Sequence, residues 1–313
     1  MRSPMLPPAL RPGRLVSCLL IPAVVAASSA ARAQVTAPSA PGWAAVERAL
    51  GRKGTPSPGD VIKFAFPRSD MQVRVGGVQL KTALALGSWI AFMHAKSGAI
   101  AMGDLVLAES EVGPVMRKLQ EGGVDQTALH NHLLTESPRV MYMHISGHGD
   151  AAQMATTIHD ALGLTTTPMD PPSAAVAPSA IDLDTAMIAR VLGVTGKLNG
   201  GVYQVSVPRA ERITDHGTVV PASMGVATSI NIQPTGGGKA AVTGDFVMIA
   251  SEVNPVIRAL TSHAIAVTAL HGHMLDERPR LLFMHFWAND DAGALAAGLR
   301  AALNQMKVKD AAP

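Results

Sequence analysis

A chain that repeats itself must fold twice in the same way. Shifted by 141 residues, this one matches itself without a gap from Pro67 to His144. Pro67-Arg68 meets Pro208-Arg209, and Gly103-Asp104 meets Gly244-Asp245. Ser110-Glu111-Val112-x-Pro114-Val115 meets Ser251-Glu252-Val253-x-Pro255-Val256. Thr127-Ala128-Leu129-His130-x-His132 meets Thr268-Ala269-Leu270-His271-x-His273. Glu136-x-Pro138-Arg139 meets Glu277-x-Pro279-Arg280, and Met143-His144 meets Met284-His285. The repeats run over residues 43–165 and 184–307. Between them, residues 166–183 open with a stretch rich in Pro, Ala, Ser and Thr, the composition of a linker.

Each copy predicts the same order of elements. A short helix opens it, at 43–50 and again at 184–192. Extended segments follow in the first copy at 61–66, 71–80, 88–94 and 99–108. A helix starts near Glu111, with Ser110 as its N-cap and Pro114 tolerated in the first turn. Two strands, 124–134 and 139–146, form a hairpin, and a helix closes the copy at 150–162 and at 290–306. The expected class is α+β: two tandem copies of a mostly antiparallel sheet with flanking helices, packed as a pseudo-twofold pair.

The first 33 residues have the pattern of a secretory signal. Arg2, Arg11 and Arg14 are basic, residues 15–27 are apolar, and Ala31-Arg32-Ala33 offers a cleavage site. A periplasmic or secreted location is expected. No later stretch is long and apolar enough to cross a bilayer. The whole chain has 26 Lys+Arg against 23 Asp+Glu, but four of those Arg and no acid lie in the signal. The mature chain is therefore near neutral, and it shows no aromatic-plus-basic stripe, so nucleic acid is not an expected partner. The one cysteine, Cys18, lies inside the apolar run. Lipidation there would leave most of that run on the wrong side of the cut, which argues against a lipoprotein. Cleavage after Ala33 removes Cys18, and with it disulfides, thiol nucleophiles and thiolate metal sites. Nothing in the sequence sets the oligomeric state.

The hairpin carries the chemistry. Side chains alternate faces along a strand, so His130 and His132 share one face. On the return strand His144 shares a face with Tyr142. Pairing Leu133 with Met143 places His132 beside His144 and joins three imidazoles. The second copy repeats this with His271, His273 and His285. Three converging neutral imidazoles suit a transition metal: zinc first, with copper, iron or nickel as alternatives. Glu136 keeps the strand's parity and is the candidate fourth ligand or general base, with Glu277 as its counterpart. Asp104 with Asp245, and Glu111 with Glu252, also recur. Competing readings are a turn ion pair for Glu136, a bulge for Gly103-Asp104, a helix start for Ser110-Glu111, and a hydrogen-bonded structural histidine cluster between the copies. Met143 and Met284 precede His144 and His285, so parity sends them to the opposite, core face. Metalloprotease, serine-hydrolase and phosphate-loop motifs are absent.

The chain also resembles the LppY/LpqO-type family of exported bacterial proteins. The matching words are Phe66-Pro67-Arg68, Gly103-Asp104-Leu105-Val106-Leu107, Ser110-Glu111-Val112, Ala128-Leu129-His130-Asn131-His132-Leu133-Leu134 with Glu136 and Pro138-Arg139, and Gly147-x-Gly149-Asp150. The resemblance implies an envelope location and a doubled domain, and no activity. The second copy departs from it, with Gly272 in place of Asn131. His148 occurs only in the first copy and is a candidate helper of that site. Three functions follow as expectations: an exported metal-binding protein, a hydrolase-like metalloenzyme using Glu136, or a module binding a non-metal ligand or partner around a structural histidine cluster.

Overall fold

The computed structural model describes residues 42–170 and 181–309. The expected signal, residues 1–33, and most of the linker, 171–180, lie outside the described residues. Both repeats belong to one compact unit. Each builds a six-stranded sheet. Across the first, the strands run Thr55–Ser57, Val61–Pro67, Gly87–His94, Ala99–Ala108, Val140–Gly149 and Asp125–His130, all neighbours antiparallel. The second repeats the order with Lys197–Asn199, Val202–Pro208, Ala227–Gly236, Lys239–Met248, Leu282–Asp291 and Ala266–His271. Two repeats of a mostly antiparallel sheet with helices are thus what the duplication predicts.

Period-two alternation decides which face of each sheet meets what. Along Ala99–Ala108, Ala101, Leu105 and Leu107 join Phe64, Phe92 and Met143 in a core covered by helices. Those helices are Ala44–Ala49, Val112–Glu121 and Ala151–Leu162, which contribute Val46, Val115, Leu119, Ala155, Ile158 and Leu162. The second repeat buries its helical face the same way through Val256, Leu260, Leu295 and Leu299. Asp150, Asp184 and Asp291 each accept a backbone N–H at the start of a helix. The alternate residues of Ala99–Ala108 point the other way. Ile100 and Met102 pack with Met224, Val226 and Phe283 of the second repeat. Val106 packs with Leu84, Tyr142, Val202 and Ala241 in a separate cross-repeat cluster. The sheets therefore face each other, with helices outside.

The recurring Pro-Arg and Ser-Glu words are structural. Arg68 donates from Nη1 to Glu111 Oε2 (2.7 Å) and to the Val106 carbonyl (2.7 Å). Glu111 accepts the N–H groups of Ala108 (2.8 Å) and Thr166 (2.9 Å), so it ties the helix start to the segment leaving the repeat. Arg209, Glu252, the Val247 carbonyl and the Lys307 N–H repeat the arrangement. Ser110 is not the cap: it lies within a 3-10 turn, Glu109–Glu111, ahead of Val112–Glu121. The carboxylate of Glu111 satisfies the free N–H instead.

Two expectations about the chain path need correction. Residues 71–80 do not form one strand; they make a tight hairpin of Arg74–Val75 and Val78–Gln79. The strand expected over 124–134 stops at His130, and its register differs. Leu129, not Leu133, faces Met143, and Ala128 faces His144. The pairing slips at Thr127, a bulge that recurs between Val267 and Ala269.

Candidate metal centre between the repeats

Both hairpins send their histidines into the gap between the facing sheets. His144 lies on the Val140–Gly149 strand opposite Asp104, and His285 lies opposite Asp245. His130 ends its strand, facing Tyr142, while His132 follows in the irregular segment beyond. The segments that carry the paired histidines interlock. Thr127 Oγ1 donates to the His273 carbonyl (2.6 Å), and Thr268 Oγ1 donates to the His132 carbonyl (2.5 Å).

The two triads consequently meet in one cluster. Ring centroids are 3.6 Å apart for His130 and His271, 3.7 Å for His132 and His285, and 3.5 Å for His144 and His273. Within the first repeat His130 stands 5.1 Å from both His132 and His144, so each triad lies closer to the other repeat's rings than to its own. Potential ligand atoms gather into two groups, each within 4.8 Å. One is His130, His271, His273 and His285; the other is His130, His132 and His144. His130 belongs to both. Tyr142 stacks on His132 at 3.3 Å and Phe283 on His273 at 3.6 Å, walling the cluster on two sides.

Nε2 of all six histidines is buried without a hydrogen-bond partner. Such atoms cost about 1–3 kcal/mol each when nothing satisfies them, and folded proteins avoid them. Burial lowers His132, His144 and His273 well below the ordinary imidazole range. It lowers His130 to about 3 and His271 to about 4. These five rings are neutral near pH 7, the state that binds a cation. His285 differs: burial lowers it, but the Asp245 charge outweighs that and raises it. Its Nδ1 lies 2.9 Å from Asp245 Oδ1 and 3.0 Å from the Gly244 carbonyl. Of the two only the carbonyl is aligned to accept the N–H, so Asp245 acts through charge. On the other side Asp104 has no such partner. Its oxygens stand 3.8 Å from His144 Nε2 and 3.9 Å from His132 Nε2, and burial, aided by Asp245, raises its carboxyl to about 7. Gly103 and Gly244 precede these carboxylates for steric reasons: a Cβ would lie 2.7 Å from the Trp89 carbonyl or 1.9 Å from that of Ser229.

Other sequence candidates lie elsewhere or serve the turn. Glu136 joins neither ligand group. Its Oε1 accepts Val140 N–H (3.2 Å) and Asn131 Nδ2 (3.4 Å), while Oε2 is buried and unpaired, and burial raises the carboxyl to about 7. Glu277 is fully buried, accepts Leu281 N–H (2.8 Å), and meets Arg280 (3.1 Å). His148 faces Asp215 of the second repeat at 3.9 Å and also stands outside both groups. Met143 and Met284 are fully buried in the helix-side cores, on the face parity assigns them. Sequence reasoning did not find the interlocking threonines, although Thr127 and Thr268 sit inside the repeated words.

Fold and site define a duplicated two-sheet protein with a histidine cluster at the junction of its halves. The chain belongs to the family described as Domain of Unknown Function (DUF1259), whose model matches residues 44–164 and again 186–305. No curated protein sequence matches it. Among solved structures it is similar to the trimeric bacterial microcompartment shell protein PduB, at 11% identity over 80% of this chain and 93% of that chain, TM-score 0.19. It is also similar to EtuB from Clostridium kluyveri, at 9% identity over 80% and 91%, TM-score 0.20. Likeness at such TM-scores carries no argument about this chain. Among the described residues, no helix is long and apolar enough to cross a membrane.

Proposed function

We propose that this is a transition-metal-binding protein whose single centre is built jointly by both repeats. The observation that carries the reading is the set of six buried, unpartnered Nε2 atoms. A metal cation would satisfy several such lone pairs at once. The group of His130 with His271, His273 and His285 supplies four nitrogens, the coordination number of structural zinc. An all-imidazole set also suits copper, iron or nickel. Because His130 is common to both groups, one ion per chain is the expected load. We also propose that the protein is an exported member of the LppY/LpqO type, a reading supported by the signal-like pattern of residues 1–33 and by the motifs quoted above. A hydrolytic role through Glu136 has less support, because its Oε1 is engaged at the turn by the Val140 N–H and Asn131 Nδ2.

Elemental analysis of protein purified without a histidine tag tests the centre. About one equivalent of one metal is expected, and His130→Ala and His271→Ala should each abolish it. Independent sites in the two repeats would instead leave half the metal in each variant. Absence of metal, with no thermal shift on adding Zn, Cu, Fe or Ni, would sink the reading.

A further inference from the structure

A small hairpin of the second repeat reaches across to the first. Thr214–Asp215 and Thr218–Val219 pair around a His216-Gly217 turn, and Thr214 bridges to Arg278. The Asp215 side chain is only 7% exposed. Among the described residues its carboxylate accepts no hydrogen bond, and no lysine or arginine lies within ion-pair distance. The group that faces it is His148 Nε2 of the first repeat, at 3.9 Å. His216 stands edge-on to His148, with ring centroids 5.2 Å apart. Its own Nε2 lies 3.4 Å from Asp276 Oδ2. Two imidazoles and two carboxylates thus converge from both repeats, and none of them belongs to the buried histidine groups. The side chains of His148, His216 and Asp276 are each at least 42% exposed and can turn onto one point, while the hairpin holds Asp215 in place.

The matching seam of the molecule carries none of this. Strand pairing puts Val75 and Gly76 where Asp215 and His216 stand, and Thr135 and Asn289 where Asp276 and His148 stand. Val75 is buried in an apolar cluster, and Asn289 accepts a hydrogen bond from Thr235 (2.8 Å). Gly76 has φ +51°, a conformation glycine takes freely. His216 holds φ +44° with a full side chain, which is costly for an L-residue. Such a cost, present at one seam and absent from the other, points to a use.

We infer that His148, Asp215, His216 and Asp276 form a second, exchangeable site for a divalent transition-metal ion, zinc above all. Imidazole and carboxylate together are zinc donors, whereas magnesium and calcium take oxygen ligands. The ion supplies the counter-charge that the buried Asp215 lacks. Three of the four ligands lie at the surface, so the ion reaches the site from solvent. The site is independent of the buried centre and adds to its load when zinc is supplied.

Equilibrium dialysis of the untagged full chain against micromolar Zn(II), with zinc counted per chain, provides the test. The double variant His148→Asn with His216→Gly copies the residues of the other seam. Wild type should bind one equivalent more than this variant: two against one if the buried centre fills, one against none if it does not. Asp215→Asn should weaken the extra site at least tenfold. Zinc should also protect His148 and His216 of wild type from carbethoxylation by diethyl pyrocarbonate, read by peptide mass. Glycine suits the turn at 216, so the metal-free double variant should melt no lower than wild type. His148→Asn alone serves where the pair loses its cooperative thermal transition. Equal zinc in wild type and variant would overturn the proposal, and so would His148 and His216 left unprotected in zinc-loaded wild type.

Discussion

Arg68 is fully buried, and its charge is matched within its own repeat by Glu111 and Asp70. Replacing Glu111 leaves Asp70 facing the guanidinium but removes charge-assisted hydrogen bonds worth about 1.5–3 kcal/mol. Glu111→Gln is therefore expected to lower stability in urea by that order, and Glu252→Gln to do the same at the matching site. Burial pushes the Glu111 carboxyl up, but Arg68 and the Thr166 and Ala108 N–H groups outweigh it and hold it below its ordinary value. Glu252 is held down by Arg209 in the same manner. For a carboxyl lowered in the fold, the unfolded chain binds more protons between the two pKa values. The stabilisation is complete above the ordinary carboxylate range and fades as pH falls below about 4 through the folded values. The melting temperature of wild type should drop steeply in that window. The double Gln variant should be less stable at pH 7 and show a shallower acid slope; an equal slope would count against this account. Repetition marked Arg68 and Glu111 as important in the sequence, but nothing there showed that they pair across 43 residues.

Hairpin geometry shows where periodicity informs and where it stops. Alternation alone assigned His130, His144 and Tyr142 to one face and Met143 to the other, because parity survives any even shift in register. The register itself was not legible. The sequence suggests a short turn after Leu134, whereas the strand ends at His130 and the bulge at Thr127 resets the pairing. Bulges leave no compositional mark of their own. The same slip turns Thr127 and Thr268 toward the opposite repeat, where each donates to a carbonyl beside a histidine. Thr127→Val and Thr268→Val keep shape and remove one hydrogen bond each. Each should cost about 1–2 kcal/mol, because a carbonyl loses its partner. The pair should also weaken metal retention, read as faster loss to a chelator, since both threonines position the loops that carry His132 and His273. Unchanged chelator kinetics in the double variant would argue against that positioning role.

At the scale of the molecule, the inner face of each sheet is apolar on both sides of the histidines. Met224, Val226 and Phe283 cover one flank, and Leu84, Leu133 and Tyr142 the other. Exposed apolar faces of that kind drive association. The first repeat expressed alone is therefore expected to elute as a dimer or larger species and to lack the four-histidine group. A monodisperse monomer would show that the inner face is less dependent on its partner than its burial implies. The sequence made the duplication and the fold class plain, because repeated words and alternating patterns are local. That the triads fuse into one cluster was not legible, because no local pattern records how two sheets stack. Leu84, buried with Tyr142, holds by the 141-residue offset the position that Gly225 of the second repeat takes against Trp89, and that split gives the duplication a further meaning. In a dimer of identical subunits, any change that opens one side opens the other, and any plug is copied too. Two halves tethered in one polypeptide can diverge, so one flank of the cluster is filled by a leucine while its twin keeps a glycine.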